Sequence, residues 1–343
     1  GYFSPPPLPP LPNPGTEDPT GPPPQLAPAW ITYGQGRCNL AGNRDFWDDE
    51  AARWACGYNP DAPADDTVLV ARVTGDEGAV RATLLNSACH PKKLAWDNHL
   101  LSPDYVGAAR EVLERAFGAP ALFMQGASGD LGPHVGYVGD AAVADRNGRQ
   151  LGYAAAGAIE AIPPAGTTFA YTGIVVSGAD IGTWAYQPSG ADDVRGASRL
   201  AARMESVPLA IKEIPSAAEL EAKLAVATDR AEGEKLHRRL NLRRALGETE
   251  THVMPLWFWR LGDAVLVGIS EEPYSILQQT LRQAFPDTPI FVLGVVNGSL
   301  GYLCPRETYG SGRYQEIQSP YQPGCLEATI EAATRGIAAV LAN

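Results

Sequence analysis

The sequence predicts a layered α/β domain, with a mixed β-sheet core flanked by helices and a helical hairpin protruding from it. Three observations predict this. Short apolar runs of strand length, such as 121–124 and 264–269, alternate with longer helix-patterned stretches. Some neighbouring runs are joined by a tight turn and others by a whole helix, so antiparallel and parallel pairings coexist. A hydrophobic share of 45% in 343 residues supplies a large core, which excludes a disordered chain.

Residues 1–28 hold twelve of the thirty prolines and form no helix or central strand. A plain linker and an extended surface strap both fit that composition. Residues 29–343 then form one catalytic-size domain. Ile31 to Gly36 reads as a short strand and turn, and Cys38 to Arg44 as an irregular loop. Residues 67–73 and 79–85 make a hairpin around Gly75-Asp76-Glu77-Gly78. Ser102-Pro103-Asp104 caps a helix that runs to about Phe117, with Gly118 stopping it.

Residues 121–124 form a buried strand that ends in the glycine-rich loop Gly126 to His134. A small-residue helix spans about 141–162, and 168–177 returns as a strand. Residues 216–246 have a different texture, with leucines spaced among Glu, Lys and Arg. They predict a solvated helical hairpin broken near Gly233, without chemistry. Strands at 254–260, 264–269 and 290–296, and helices at about 274–285 and 326–341, complete the domain. No internal repeat is evident in the sequence.

The net charge of −12 carries no dominant basic patch, which disfavours nucleic acid and anionic membranes as partners. No apolar run approaches the ~18 residues of a membrane span. Five cysteines are too few for a disulfide scaffold; they leave one or two bridges open, Cys38–Cys56 or Cys304–Cys325, and at least one free thiol.

Four loops at strand ends carry the polar groups of interest: Asn43-Arg44, His90 to Asp104, Ser128 to His134, and Glu271-Glu272 with Asn297 to Tyr314. Strand ends are where clefts form in α/β sheets. Each signal alone is bland. His90 could be a hydrogen-bonded core residue or a metal ligand. One carboxylate of Glu271-Glu272 points inward and needs a cation, a metal or a donor. Ser128 lies in a segment similar to a nucleophile elbow, but without the Gly-x-Ser-x-Gly spacing.

Taken together and in order, the motifs resemble the neutral (non-lysosomal) ceramidase family. They are Asn43-Arg44, Cys89-His90-Pro91, Ser102-x-Asp104-x-x-Gly107 and Gly129-Asp130-Leu131-Gly132-Pro133. Glu272-Pro273-Tyr274, Asn297-Gly298-x-x-Gly301-Tyr302 and Gly312-Arg313-Tyr314 follow, and the set spans about 31–330. The resemblance implies a zinc-dependent hydrolase of carbon–nitrogen amide bonds acting on a small-molecule amide. It implies His90, Glu272 and Tyr302 as zinc ligands, and Arg44 and Tyr314 as groups that polarise the amide. His134 is expected to face the substrate pocket, with Asp104, Asp130 and Asn297 as supporting groups behind the metal. Exported family members imply a periplasmic or secreted location.

The chain departs from the family pattern in three places. The family's serine in Gly-Asp-x-Ser-Pro is Gly132 here, which puts ceramide itself in doubt and favours attack by metal-activated water. The expectation is a catalytic core alone, without the family's C-terminal immunoglobulin-like domain. The family's other zinc histidine belongs to an N-terminal His-x-His-Ser-Gly-Pro motif, commonly followed by Gly-Tyr. This chain opens with Gly1-Tyr2-Phe3. The expectation is therefore a larger chain of a proteolytically processed heterodimer, whose smaller upstream-derived chain supplies the histidine. Two other readings compete: a catalytically silent scaffold or binding subunit, and a serine hydrolase using Ser128.

Overall fold

The computed structural model describes residues 27–75, 78–96 and 98–342. The expectations for the proline-rich segment 1–28 and for Gly1-Tyr2-Phe3 fall almost wholly, and wholly, outside those residues.

Two four-stranded sheets face each other, and each carries helices on its outer face. The first runs in the order Ala29–Arg37, Thr67–Gly75, Val80–Ser87, Ala121–Gln125. The second runs Leu200–Ala210, Thr251–Leu261, Ala264–Ile269, Ile290–Leu293. The period-two alternation of side chains explains the layering. Val68 and Val70 face the helices Tyr105–Phe117 and Ala141–Glu160, while Leu69 and Ala71 face the opposite sheet. In the second sheet Val265, Val267 and Ile269 face the helices Ile276–Ala284 and Cys325–Ala342. Ala264 and Leu266 meet Leu69, Leu84 and Phe291 between the sheets. With both faces covered, the central strands are continuous apolar runs. The layered mixed α/β class is the one the sequence predicts.

The two halves repeat one topology. In each, three antiparallel strands are followed by a helix and a parallel fourth strand, and a long helix closes the unit. The sequence shows no repeat because topology constrains hydrophobic pattern, not residue identity. Asn86 ties the halves together, its amide donating to Met124 O in its own sheet and to Val292 O in the other.

Several local expectations are corrected. The stretch read as an irregular loop, 38–44, runs into the strand Ala41–Asp48, which pairs with Arg53–Asn59 and Leu131–Pro133. Its Gly, Asn and Asp residues mimic a loop, but backbone pairing on both sides and a bulge between Asn43 and Asp45 hold it extended. Asp104, not Ser102, is the N-cap, because its carboxylate takes the Tyr105 N–H; Ser102 Oγ instead accepts from the Asp104 N–H. The helical hairpin, Ala217–Val226 and Arg230–Leu246, breaks at Ala227 to Asp229, where Asp229 caps the second helix and Gly233 lies inside it. All five cysteines are free, so neither bridge left open by the sequence exists. Among the described residues, no helix is long and apolar enough to cross a membrane.

Candidate active site

The site lies beyond the ends of the matched third strands. His90 stands three residues past Ser87, the end of one strand, and Glu272 stands three residues past Ile269, the end of the other. His90 Nε2 is 3.0 Å from Glu272 Oε2. The opposite ring nitrogen, Nδ1, lies 2.7 Å from Ser128 O and 3.0 Å from Leu131 O. Both are acceptors, so Nδ1 carries the proton and Nε2 is the atom presented to Glu272. Burial pushes the imidazole below its ordinary pKa, outweighing the pull of Glu272, and the Arg44 and Lys92 charges push the same way. Burial alone would raise the Glu272 carboxyl, but its neighbours, Tyr302 and Arg44 among them, hold it below the usual carboxylate range.

Glu272 is placed by a two-residue parallel pairing, Glu272–Pro273 with Tyr302–Leu303, in which Glu272 is the register partner of Tyr302. The Glu272 N–H donates to Gly301 O at 3.0 Å. Tyr302 is buried, its ring centroid 6.2 Å from that of His90 and 6.0 Å from that of Tyr314. Behind it lies Arg44, only 1% exposed, with its guanidinium carbon 5.2 Å from the Tyr302 ring and 5.9 Å from the Tyr314 ring. Arg44 Nε and Nη2 donate to Gly129 O at 3.1 and 2.6 Å, whereas Nη1 has no hydrogen-bond partner. Five residues from five separate segments, His90, Glu272, Tyr302, Arg44 and Tyr314, therefore converge.

The remaining candidates have other positions. Asp104 accepts the N–H groups of Lys93 and Leu94, tying the loop after His90 to the helix it caps. Asp130 accepts the Ser275 N–H and hydroxyl at 2.6 and 2.8 Å, fastening the glycine loop to the segment after Glu272. Asn297 is exposed at φ 60° and shapes its loop without bonding to the cluster. His134 is exposed and packs on Tyr58 with ring centroids 4.6 Å apart; no contact joins it to His90 or Glu272. The Ser128 hydroxyl accepts from Gln125 Nε2, and no histidine nitrogen reaches it. The inward carboxylate of the acidic pair is Glu271. It is fully buried and takes the Tyr321 hydroxyl and the Leu300 and Gly301 N–H groups.

Other nearby groups carried no readable signal in the sequence. Lys92 Nζ sits 5.7 Å from the Tyr314 ring, and burial, with the Arg44 charge beside it, brings its pKa down to about 8. Gln315 donates to Asp45 Oδ1 at 2.6 Å and to Gly129 O at 3.1 Å. A cavity of about 460 Å³ opens onto Glu272, Tyr302 and Tyr314, and Arg238 and Leu242 of the helical hairpin form another wall. The hairpin thus borders the site, although its charged pattern predicts only a solvated face.

This arrangement defines a two-sheet α/β protein with a histidine–carboxylate–phenol cluster at its strand ends and a buried arginine behind. No family model and no curated protein matches the sequence. Solved structures share the fold, two of them ceramidases. A ceramidase complexed with C2 superposes with a TM-score of 0.59 at 17% identity over 90% of this chain and 53% of that chain. The neutral ceramidase from Pseudomonas aeruginosa gives 0.58 at 17%, over 90% of this chain and 51% of that chain. The fold is ceramidase-like, and the chain spans about half the length of the solved structures it matches.

Proposed function

We propose that this chain is a zinc-dependent hydrolase of a non-peptide, N-acyl type amide. The observation that carries the reading is the His90–Glu272 contact. With Nδ1 held by two carbonyls, an uncharged imidazole would present a bare Nε2 to a carboxylate oxygen at 3.0 Å and set two electron-rich atoms against each other. Such a pair calls for a cation between its members. The donor set fits zinc: imidazole nitrogen, carboxylate and phenol from His90, Glu272 and Tyr302.

Zinc held there supplies Lewis acidity towards a water and towards an amide carbonyl. The chain's own residues do the rest. The carbonyls of Ser128 and Leu131 fix the tautomer and orientation of His90. Arg44 and Tyr314 offer positive charge and a phenol to the oxygen that gains negative charge in the tetrahedral intermediate. Among the described residues, no three His, Cys, Asp or Glu side chains come together. As part of this proposal, a further histidine ligand comes from a smaller partner chain. It also favours an exported protein.

The test is hydrolysis of a fluorogenic N-acyl amide, abolished by a chelator and restored by zinc. A metal-free protein that turns over nothing would favour the second reading, a silent binding subunit of the same fold. Gly132 in place of a hydroxyl is the observation on that side. Labelling of Ser128 by a fluorophosphonate would instead support a serine hydrolase.

A further inference from the structure

We propose that the substrate carries an anionic group within a few bonds of the scissile amide, which Lys92 recognises beside Arg44. This deepens the amidase reading and rests on it. The charges around the cluster are lopsided. Arg44 is buried and spends two of its nitrogens on a carbonyl, leaving Nη1 unpartnered. Lys92 is half-buried, and among the described residues no carboxylate lies within ion-pair distance of it or of Arg44. Arg238 also lines the cavity, but its side chain is 72% exposed and pairs with Glu234 at 3.0 Å.

The acidic groups nearby are already engaged. Asp45 takes Gln315, the Tyr274 hydroxyl and Arg313, and Glu271 takes Tyr321 and two backbone N–H groups. Glu272 is the single acid lining the cavity, and it faces His90. A neutral ligand would leave Lys92 and the Arg44 Nη1 without an anionic partner, whereas a carboxylate or phosphate supplies one. Lys92, a point charge on a flexible stem whose Nζ lies 5.7 Å from the cavity-lining Tyr314 ring, suits either anion.

The test is equilibrium binding, by calorimetry, of non-hydrolysable sulfonamides to the full chain as purified. N-octylsulfonylglycine and O-phospho-N-octylsulfonylethanolamine are compared with neutral N-octylsulfonylethanolamine. At least one anionic probe is expected to bind about tenfold tighter than the neutral one. That ratio should collapse in Lys92→Met and persist in Lys92→Arg. Equal or tighter binding of the neutral probe, or binding of none of the three, overturns the inference, as does a ratio unchanged by Lys92→Met. Because no turnover is measured, these outcomes are separate from the chelator test of the amidase reading. The wild-type comparison stands even if a variant fails to fold.

Discussion

His90 and Glu272 hold equivalent places in two topologically matched half-domains, each three residues beyond the third strand of its own sheet, and their side chains meet at 3.0 Å. The candidate site is thus a product of how the halves face each other. Residues 182 positions apart in sequence meet because both loops leave the same end of the two-sheet stack.

Gly129 keeps these halves in register. A β-carbon there would lie 2.9 Å from Glu272 O and from the Pro273 backbone, and its N–H donates to Pro273 O at 2.8 Å. Both neighbours are backbone and cannot turn aside. Gly129→Ala should lower stability by about 1–3 kcal/mol in urea denaturation and reduce turnover further by displacing Glu272.

Arg44 is fixed by a forked pair of bonds to Gly129 O, which lysine cannot reproduce. Arg44→Lys keeps the charge and loses the fork. Steady-state kinetics should show kcat down by about 10²–10³, the scale of losing one oxyanion donor. A change confined to KM would assign Arg44 to ground-state binding instead.

Burial holds the Glu271 carboxyl above its ordinary value of 4.5, against the lowering effect of Tyr321 and the Leu300 and Gly301 N–H groups. The folded chain keeps this proton to higher pH than the unfolded chain. The group's contribution to stability is therefore full below 4.5 and is lost as pH rises through the raised folded value. The unfolding free energy of wild type minus that of Glu271→Gln should fall as pH rises above 4.5. A difference that rises over that range would contradict the assignment.

Gly132 lies beside Arg44, and a β-carbon there makes only ordinary 3.8 Å contacts with the Arg44 stem. Gly132→Ser should fold with stability within about 0.5 kcal/mol of wild type, since nothing must shift. The new hydroxyl would stand next to the buried guanidinium, and turnover of neutral N-acyl amides should rise relative to anionic ones. An unchanged preference would show that this position does not read the substrate.

What was legible in the sequence follows physical pattern. The strand Ala264–Ile269 is a continuous apolar run because both faces of its sheet are covered. The strand Ala41–Asp48 escaped notice because Gly42, Asn43 and Asp45 carry turn propensities that pairing on both edges overrides. The pairing of Glu272–Pro273 with Tyr302–Leu303 is two residues long, too short for any periodicity, yet it sets the geometry of the cluster. His90 stood out as a histidine closing a core strand, but its partner had to come from the other half of the molecule. Arg238 was hidden among the many charges of the helix Arg230–Leu246, and Lys92 in a loop with no pattern at all.

The central claim is that His90 and Glu272 face each other across a cation. Elemental analysis of the purified protein beside folded His90→Ala tests it most directly. Wild type should hold about one zinc per chain, and the variant should hold almost none. A variant that retains zinc at the wild-type level, or a wild type that takes up no zinc when it is supplied, would contradict the account.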